Sequence, residues 1–382
     1  MKVLFVTRGF PSQKDPMIGN YESVQAKAIA AKGHEVSVIC IKFNSILHIF
    51  QNWKLRHRVV DGVHVYECNR MNLYYPFHTS KINNYAKRCQ FKMVYKHFVR
   101  ERGIPDVIHA HIIQHAFYSS VIKDVYNIPF VITEHWSRMI ADVIPQATLS
   151  RSYVYNKADR VICVSDALSE NIYKKFGVKS VVIHNMVSDH FFMNMKSERH
   201  DELFKFISVG ALRKDKRFDV LIEAFAMCHF PKNVYLDIVG EGEERQIIES
   251  KIQQFDLGSQ VKLLGVKKPE EVSDLLCQSD CFVLSSRLET FGIVVIEAMA
   301  KGLPVIATIC GGPETFVRPE DGILVPKENA EELSKAMKKM IENYQNFDSA
   351  EIRRYCHDSF SQDVIADKII NIYKEVINNH NQ

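Results

Sequence analysis

Short apolar runs alternate with amphipathic stretches from one end of the chain to the other. Lys2–Thr7 reads as a buried strand, followed by a turn-rich stretch and an Ala-rich helix near Asn20–Lys32. Glu35–Ile41 predicts the next strand. Asp106–Ala110, Pro129–Thr133, Arg160–Val164 and Ser180–Ile183 predict four more, with helical patterns between them. Runs this apolar, spaced by helices, belong to parallel strands covered on both faces. The rhythm pauses over Ser188–Lys205, a polar stretch without a clean period that reads as a linker. It resumes with strands over Phe204–Val209, Val234–Val239, Gln260–Leu264, Cys281–Leu284, Pro304–Thr308 and Ile323–Val325, and two or three helices follow Asn329. Two βαβ series in tandem predict an α/β chain of two Rossmann-like, doubly wound parallel-sheet domains facing a cleft, with ligands beyond the carboxyl ends of the strands. The expected division is 1–190 and 191–361, with a last helix over about 362–382 packing back on the first domain.

Composition narrows the class. The 382 residues, 46% hydrophobic and 25% charged, suit two or three globular domains and not a disordered chain. The net charge of +4 hides a split. Residues 1–200 carry 27 Lys+Arg against 15 Asp+Glu, a balance of +12, and residues 201–382 carry 22 against 30, or −8. Within the first half, residues 42–102 hold 12 basic against 3 acidic side chains, or +9. One basic face on a bipartite molecule fits this better than a nucleic-acid binder. The nine cysteines are scattered, with no Cys-x-x-Cys, which suits a reducing compartment and neither a disulfide framework nor a zinc site. The first apolar run is too short for a signal peptide, and no run is long enough to span a membrane, so a cytoplasmic protein is expected.

The most informative segment is Ser285–Gly302. Gly292 follows a strand and opens a helix, so its neighbourhood offers free backbone N–H groups and a positive dipole end to a phosphate. Glu289 lies just before that helix and Glu297 inside it, where a charge among apolar residues needs a partner. A carboxylate can accept two hydrogen bonds from a vicinal diol such as a ribose. By spacing alone, two Glu eight apart are also ordinary surface residues.

That segment resembles the Glu-x7-Glu motif of retaining GT-B glycosyltransferases of family 4. The likeness extends over Asp106-Val-Ile-His-Ala-His111, Cys163–Asp166, Ile183–Val187, Val209–Asp219, Val239–Gly242 and Gly311–Glu314, in the family's order. The resemblance implies that Glu297 holds the nucleotide ribose and Glu289 the donor sugar. Backbone around Phe291, Gly292 and Ile293 would meet the sugar and distal phosphate, and Lys216 the diphosphate. The family often has a second cation in a Gly-Arg-Leu triplet; Ala211 stands there, and Arg213 is the substitute at hand. Gly19 would approach the diphosphate from the first domain, Leu264 and Val266 would flank the base, and His111 would lie beside the donor sugar. Glu134 and His135, ending the next strand, would line the acceptor side. Nucleotide and sugar stay open between UDP and GDP donors.

Several chemistries drop out. Gly240–Arg245 lacks the third glycine of a dinucleotide fingerprint, there is no P-loop, and Val38 stands where a zinc protease needs its second His. No Asp-x-Asp occurs, so no metal ion or other cofactor is expected. Residues 42–102 add Trp53, Tyr74, Tyr75, Phe77, Tyr85, Phe91, Tyr95 and Phe98 to their basic charge, and Lys81–Arg102 reads as an amphipathic helix. Aromatics at helical spacing are ordinarily core residues; the alternative is a surface that meets anionic lipid heads on the inner face of the cell membrane, pointing to a glycan or lipid-linked acceptor. The competing readings are a non-catalytic nucleotide-sugar-binding homologue and a metal-dependent hydrolase built on His109 and His111.

Overall fold

The computed structural model describes residues 1–12, 15, 18–45, 55–72, 81–141, 144, 146–193 and 203–382. The chain runs β1 (Lys2–Thr7), α1 (Asn20–Ala31), β2 (Glu35–Ser45), β3 (Arg56–Val60), β4 (Val63–Asn72), α2 (Lys81–Arg102), β5 (Val107–His111), α3 (Ile112–Tyr126) and β6 (Phe130–Glu134). A short α4 (Gln146–Leu149), β7 (Arg160–Cys163), α5 (Asp166–Phe176) and β8 (Val181–Val182) follow. Then come β9 (Phe204–Val209), α6 (Phe218–Cys228), β10 (Val234–Val239), α7 (Arg245–Gln254), β11 (Val261–Leu263), α8 (Pro269–Cys277), β12 (Cys281–Leu284) and α9 (Ile293–Ala300). The chain closes with β13 (Val305–Ile309), β14 (Gly322–Pro326), α10 (Ala330–Glu342), α11 (Ser349–Phe360) and α12 (Gln362–Asn381).

Two units result: Met1–His184 with Gln362–Gln382, and Asn185–Ser361. The division thus falls at His184/Asn185, with 190/191 as the expectation from sequence. The first unit holds one sheet in the order β3-β4-β2-β1-β5-β6-β7-β8, and the second one in the order β11-β10-β9-β12-β13-β14. Neighbouring strands are parallel except β3 and β4. That antiparallel pair is absent from the sequence expectation. It turns through Asp61 and Gly62, both at positive φ (49° and 78°), the geometry of a tight two-residue hairpin.

The parallel strands are apolar because helices cover both faces. All residues of β5, β6 and β12 are buried, as is the Leu333, Ala336, Met337 and Met340 stripe of α10. The last helix belongs to the first unit, where Lys32 pairs with Asp363 and Asp367 and the Tyr373 hydroxyl meets His109 Nδ1 at 2.6 Å. In each sheet the strand order reverses at one place, between β1 and β5 and between β9 and β12. Loops beyond the strand ends diverge there and leave room for a ligand.

Candidate functional site

In the second unit, the loops after β9 and β12 meet at the switch point. Arg287 N–H donates to Asp215 O (2.8 Å) and Ser285 Oγ to Lys216 O (2.9 Å), stitching one loop to the other. The stitch brings Lys216 onto Glu289, whose Oε1 accepts from Lys216 Nζ and from Ser286 Oγ (2.8 Å). Both charged side chains keep a small exposed face, 19% and 12%, so a ligand can reach them.

Gly292 caps α9 at φ 94°, a conformation open to glycine and strained for other residues. The next glycine loop packs directly beneath, since a Cβ on Gly312 would sit 2.2 Å from Phe291 O. Glu314 braces that loop by accepting from Cys310 N (3.1 Å) and Gly311 N (2.7 Å), while Cys310 O receives Glu289 N–H (3.0 Å). Phe291 is fully buried against Phe316 and Phe360, so its side chain is core and only its backbone faces the loop. Glu297 is half-buried on α9, and burial pushes its carboxyl up to about 7 with no neighbouring cation to offset it. Val266 is largely exposed beyond β11, beside Gly265 at φ 71°; Leu264 N–H donates to Ile238 O (2.8 Å). Arg213 turns to Asp215 (2.7 Å) and is half exposed, so its charge is already engaged within its own loop.

In the first unit, His109 and His111 share one face of β5, as alternate strand residues must, with ring centroids 4.5 Å apart. His109 is spent internally, Nδ1 on Tyr373 and Nε2 on Thr133 Oγ1 (2.7 Å). Both ring nitrogens of His111 lack a partner among the described residues, and the ring stacks on Phe5 at 5.2 Å. Burial holds His111 well below the ordinary imidazole value, and His109, His135 and His115 add to the effect. Ile112, the next residue, sits at φ 58°, a costly place for a β-branched side chain.

Two sequence expectations change here, for Glu134 and for the aromatic face of α2. Glu134 does not line a site. It is fully buried, with Oε2 accepting from Ile113 N (2.9 Å) and Tyr155 hydroxyl (2.7 Å), and Oε1 from His135 N (3.0 Å) and Trp136 N (2.9 Å). Four donors leave it no capacity for a substrate. Gly19, at φ 65°, is required by its neighbour Gly9, whose carbonyl oxygen would lie 2.0 Å from an added Cβ. The aromatic face of α2 is mostly inward, since Phe91, Tyr95 and Phe98 are buried. Trp53, Tyr74, Tyr75 and Phe77 lie outside the described residues. Sequence reading also missed Ser286, Asp215 and Glu22. Glu22 lies on the first turn of α1, and burial raises its carboxyl. Among the described residues, no three His, Cys, Asp or Glu converge to hold a metal ion, and no helix is long and apolar enough to cross a membrane.

Two tandem Rossmann-like sheets, each with its own switch point, make up the GT-B fold. The chain belongs to glycosyltransferase family 4: residues 24–191 match the family model "Glycosyltransferase Family 4", and residues 191–375 match "Glycosyl transferases group 1". It is 28% identical to an uncharacterized glycosyltransferase, MJ1178, of Methanocaldococcus jannaschii, over 70% of this chain and 74% of that one. It is 26% identical to the putative teichuronic acid biosynthesis glycosyltransferase TuaC of Bacillus subtilis, over 97% and 92%. Among solved structures, Anabaena HepE in complex with UDP and glucose superposes with a TM-score of 0.74 at 20% identity, covering 98% of this chain and 99% of that one.

Proposed function

We propose that the chain moves a sugar from a nucleotide diphosphate sugar to a hydroxyl of a glycan or lipid-linked acceptor, with retention at the anomeric carbon and without a metal ion. The observation that carries this is the Lys216–Glu289 pair beside the Gly292 helix start, with the underused carboxylate of Glu297 on the same helix. A diphosphate supplies the anion for Lys216 and the α9 N–H groups; sugar and ribose hydroxyls supply donors for the two carboxylates. The bond from the anomeric carbon to the diphosphate oxygen breaks, and that carbon bonds to the acceptor oxygen on the same face. The departing phosphate oxygen takes the acceptor proton. The protein's part is to position the reactants and stabilise the leaving charge. A UDP-sugar is the favoured donor, in keeping with the UDP bound by the Anabaena neighbour, and GDP-mannose is the second choice. Envelope polysaccharide synthesis is the favoured setting, in line with the name of the Bacillus subtilis relative.

A thermal-shift panel of UDP-, GDP- and ADP-sugars tests the reading. One donor class should raise the melting temperature of the wild-type protein and fail to do so for Glu297→Ala. Donor affinity should rise ~10-fold between pH 6 and 8, because the Glu297 carboxyl titrates near 7 and accepts ribose hydroxyls best when ionised. The Glu297→Gln variant should show a flat profile. No shift with any nucleotide sugar, and no hydrolysis of one, would leave the reading without support.

The membrane part of the proposal rests on the outer stripe of α2. Ile82, Tyr85 and Met93 are 60–71% exposed there, beside exposed Lys96 and Arg100. Apolar side chains flanked by cations suit an anionic bilayer surface. The protein should sediment with phosphatidylglycerol vesicles at low salt and leave them as salt rises, and a Lys96→Glu/Arg100→Glu double variant should bind poorly throughout. Failure to bind at low salt argues for a water-soluble acceptor met away from the bilayer, and binding that ignores salt overturns the electrostatic attachment.

A further inference from the structure

At the switch point of the first unit, one carboxylate sits where a ligand is expected and is poorly served by the protein. Glu22 lies a turn after Gly19, and only 8% of it is exposed. Its own backbone N–H is the hydrogen bond that opposes the effect of burial, with the exposed Arg8 adding a favourable charge. The side chain near it is His135, whose Nε2 is 3.9 Å from Oε1, too far for a hydrogen bond. A nine-tenths buried carboxylate left in this state costs stability unless a ligand completes it.

The surroundings say which ligand. Tyr21 lies edge-on to His135 with centroids 5.0 Å apart, and His111, with both nitrogens unpartnered, is 5.6 Å from His135. A carboxylate that accepts beside an imidazole that can donate suits neighbouring hydroxyls of a sugar ring. A diphosphate would be repelled by Glu22. A metal ion would need a third ligand, and no such trio converges among the described residues. We propose that Glu22, with His135 beside it, binds hydroxyls of the acceptor sugar and sets acceptor specificity, taking the place that the end of β6 suggested for Glu134. This inference rests on the transferase reading above.

Glu22→Gln is the test, assayed with the donor found by the thermal-shift panel and with octyl glucoside, octyl galactoside and octyl N-acetylglucosaminide as acceptors. The KM for the acceptor should rise ~10-fold or more with a smaller change in kcat, the loss of one charge-assisted hydrogen bond. The donor-induced thermal shift should persist. The melting temperature should hold or increase, because a poorly served, largely buried charge is removed. Glu22→Asp, which keeps the charge on a shorter stem, should fall between the two. An unchanged acceptor KM overturns the proposal. So does a loss of transfer that tracks a lower melting temperature, and so does a wild-type protein that hydrolyses the donor but transfers to none of the glycosides. A wild-type protein that neither binds nor hydrolyses any nucleotide sugar instead removes the transferase reading itself.

Discussion

Lys216→Met is expected to lower sugar transfer by ~10²–10³-fold, the range seen when one preorganised group is taken from a developing negative charge. Methionine keeps the length of the side chain and removes its charge. In the free protein Lys216 neutralises Glu289, and each side chain is still partly open. On the proposed reading, an arriving diphosphate competes for the ammonium group and releases Glu289 to hydroxyl donors on the sugar. One cation would then serve two states, a carboxylate before binding and a leaving phosphate during transfer. Its loss should appear mainly in kcat, because the charge on the leaving oxygen is largest in the transition state. The fold should tolerate the change, since Ser286 still donates to Glu289 and the backbone stitches at Asp215 and Lys216 do not involve the ammonium. Arg213→Ala is the contrasting variant. That guanidinium is half exposed and paired with Asp215, so its removal should change the rate by less than ~3-fold. Steady-state kinetics on both variants decide between one working cation and two. Near-wild-type turnover by Lys216→Met would return the site to a merely structural ion pair.

The sheet architecture was legible because burial on both faces writes continuous apolar runs, and twelve such runs separated by helical periods leave few topologies open. The β3–β4 hairpin was not read, although Asp61-Gly62 is a strong turn signal. Its strand Arg56–Val60 is half charged and mostly exposed, so period-two burial gave nothing to detect. Helix α2 is the opposite case. Its aromatics suit either a core or a lipid surface by spacing, and Phe91, Tyr95 and Phe98, recurring at three- and four-residue intervals, fill the core; Tyr85 is the one described aromatic of the set that faces out. Among the candidate site residues, Glu289 and Lys216 could be paired only once the loops after β9 and β12 were seen to be tied by backbone hydrogen bonds. Which of two acidic residues in the first unit is fully hydrogen-bonded and which is poorly served could not be read at all. Glu134 ends an all-buried strand and Glu22 starts an Ala-rich helix. Composition and spacing favour the former for a site, whereas hydrogen bonding favours the latter.

Glu134→Ala accordingly should act on stability. The variant leaves the buried Tyr155 hydroxyl and Ile113 N–H without their acceptor, and with them the partly buried N–H groups of His135 and Trp136. Unpaired buried donors cost roughly 1–3 kcal/mol each, and the four are too close to act independently, so a total of about 4 kcal/mol is expected. The consequence reaches the histidines. Ile112 is held at φ 58° between His111 and Ile113, and the Ile113 N–H is one of the bonds that Glu134 accepts. Without it the strained turn can relax, and His111 loses the backbone that places it at the end of β5. Activity should therefore fall together with the denaturation midpoint, and cooling should recover part of both. Glu134→Gln should be milder, because its amide oxygen still serves two donors while its NH2 opposes the others. A residue that bound the acceptor would behave differently, raising the acceptor KM at unchanged stability. Denaturant midpoints measured alongside acceptor KM separate the two, and a normal midpoint with a raised KM would restore Glu134 to the acceptor side.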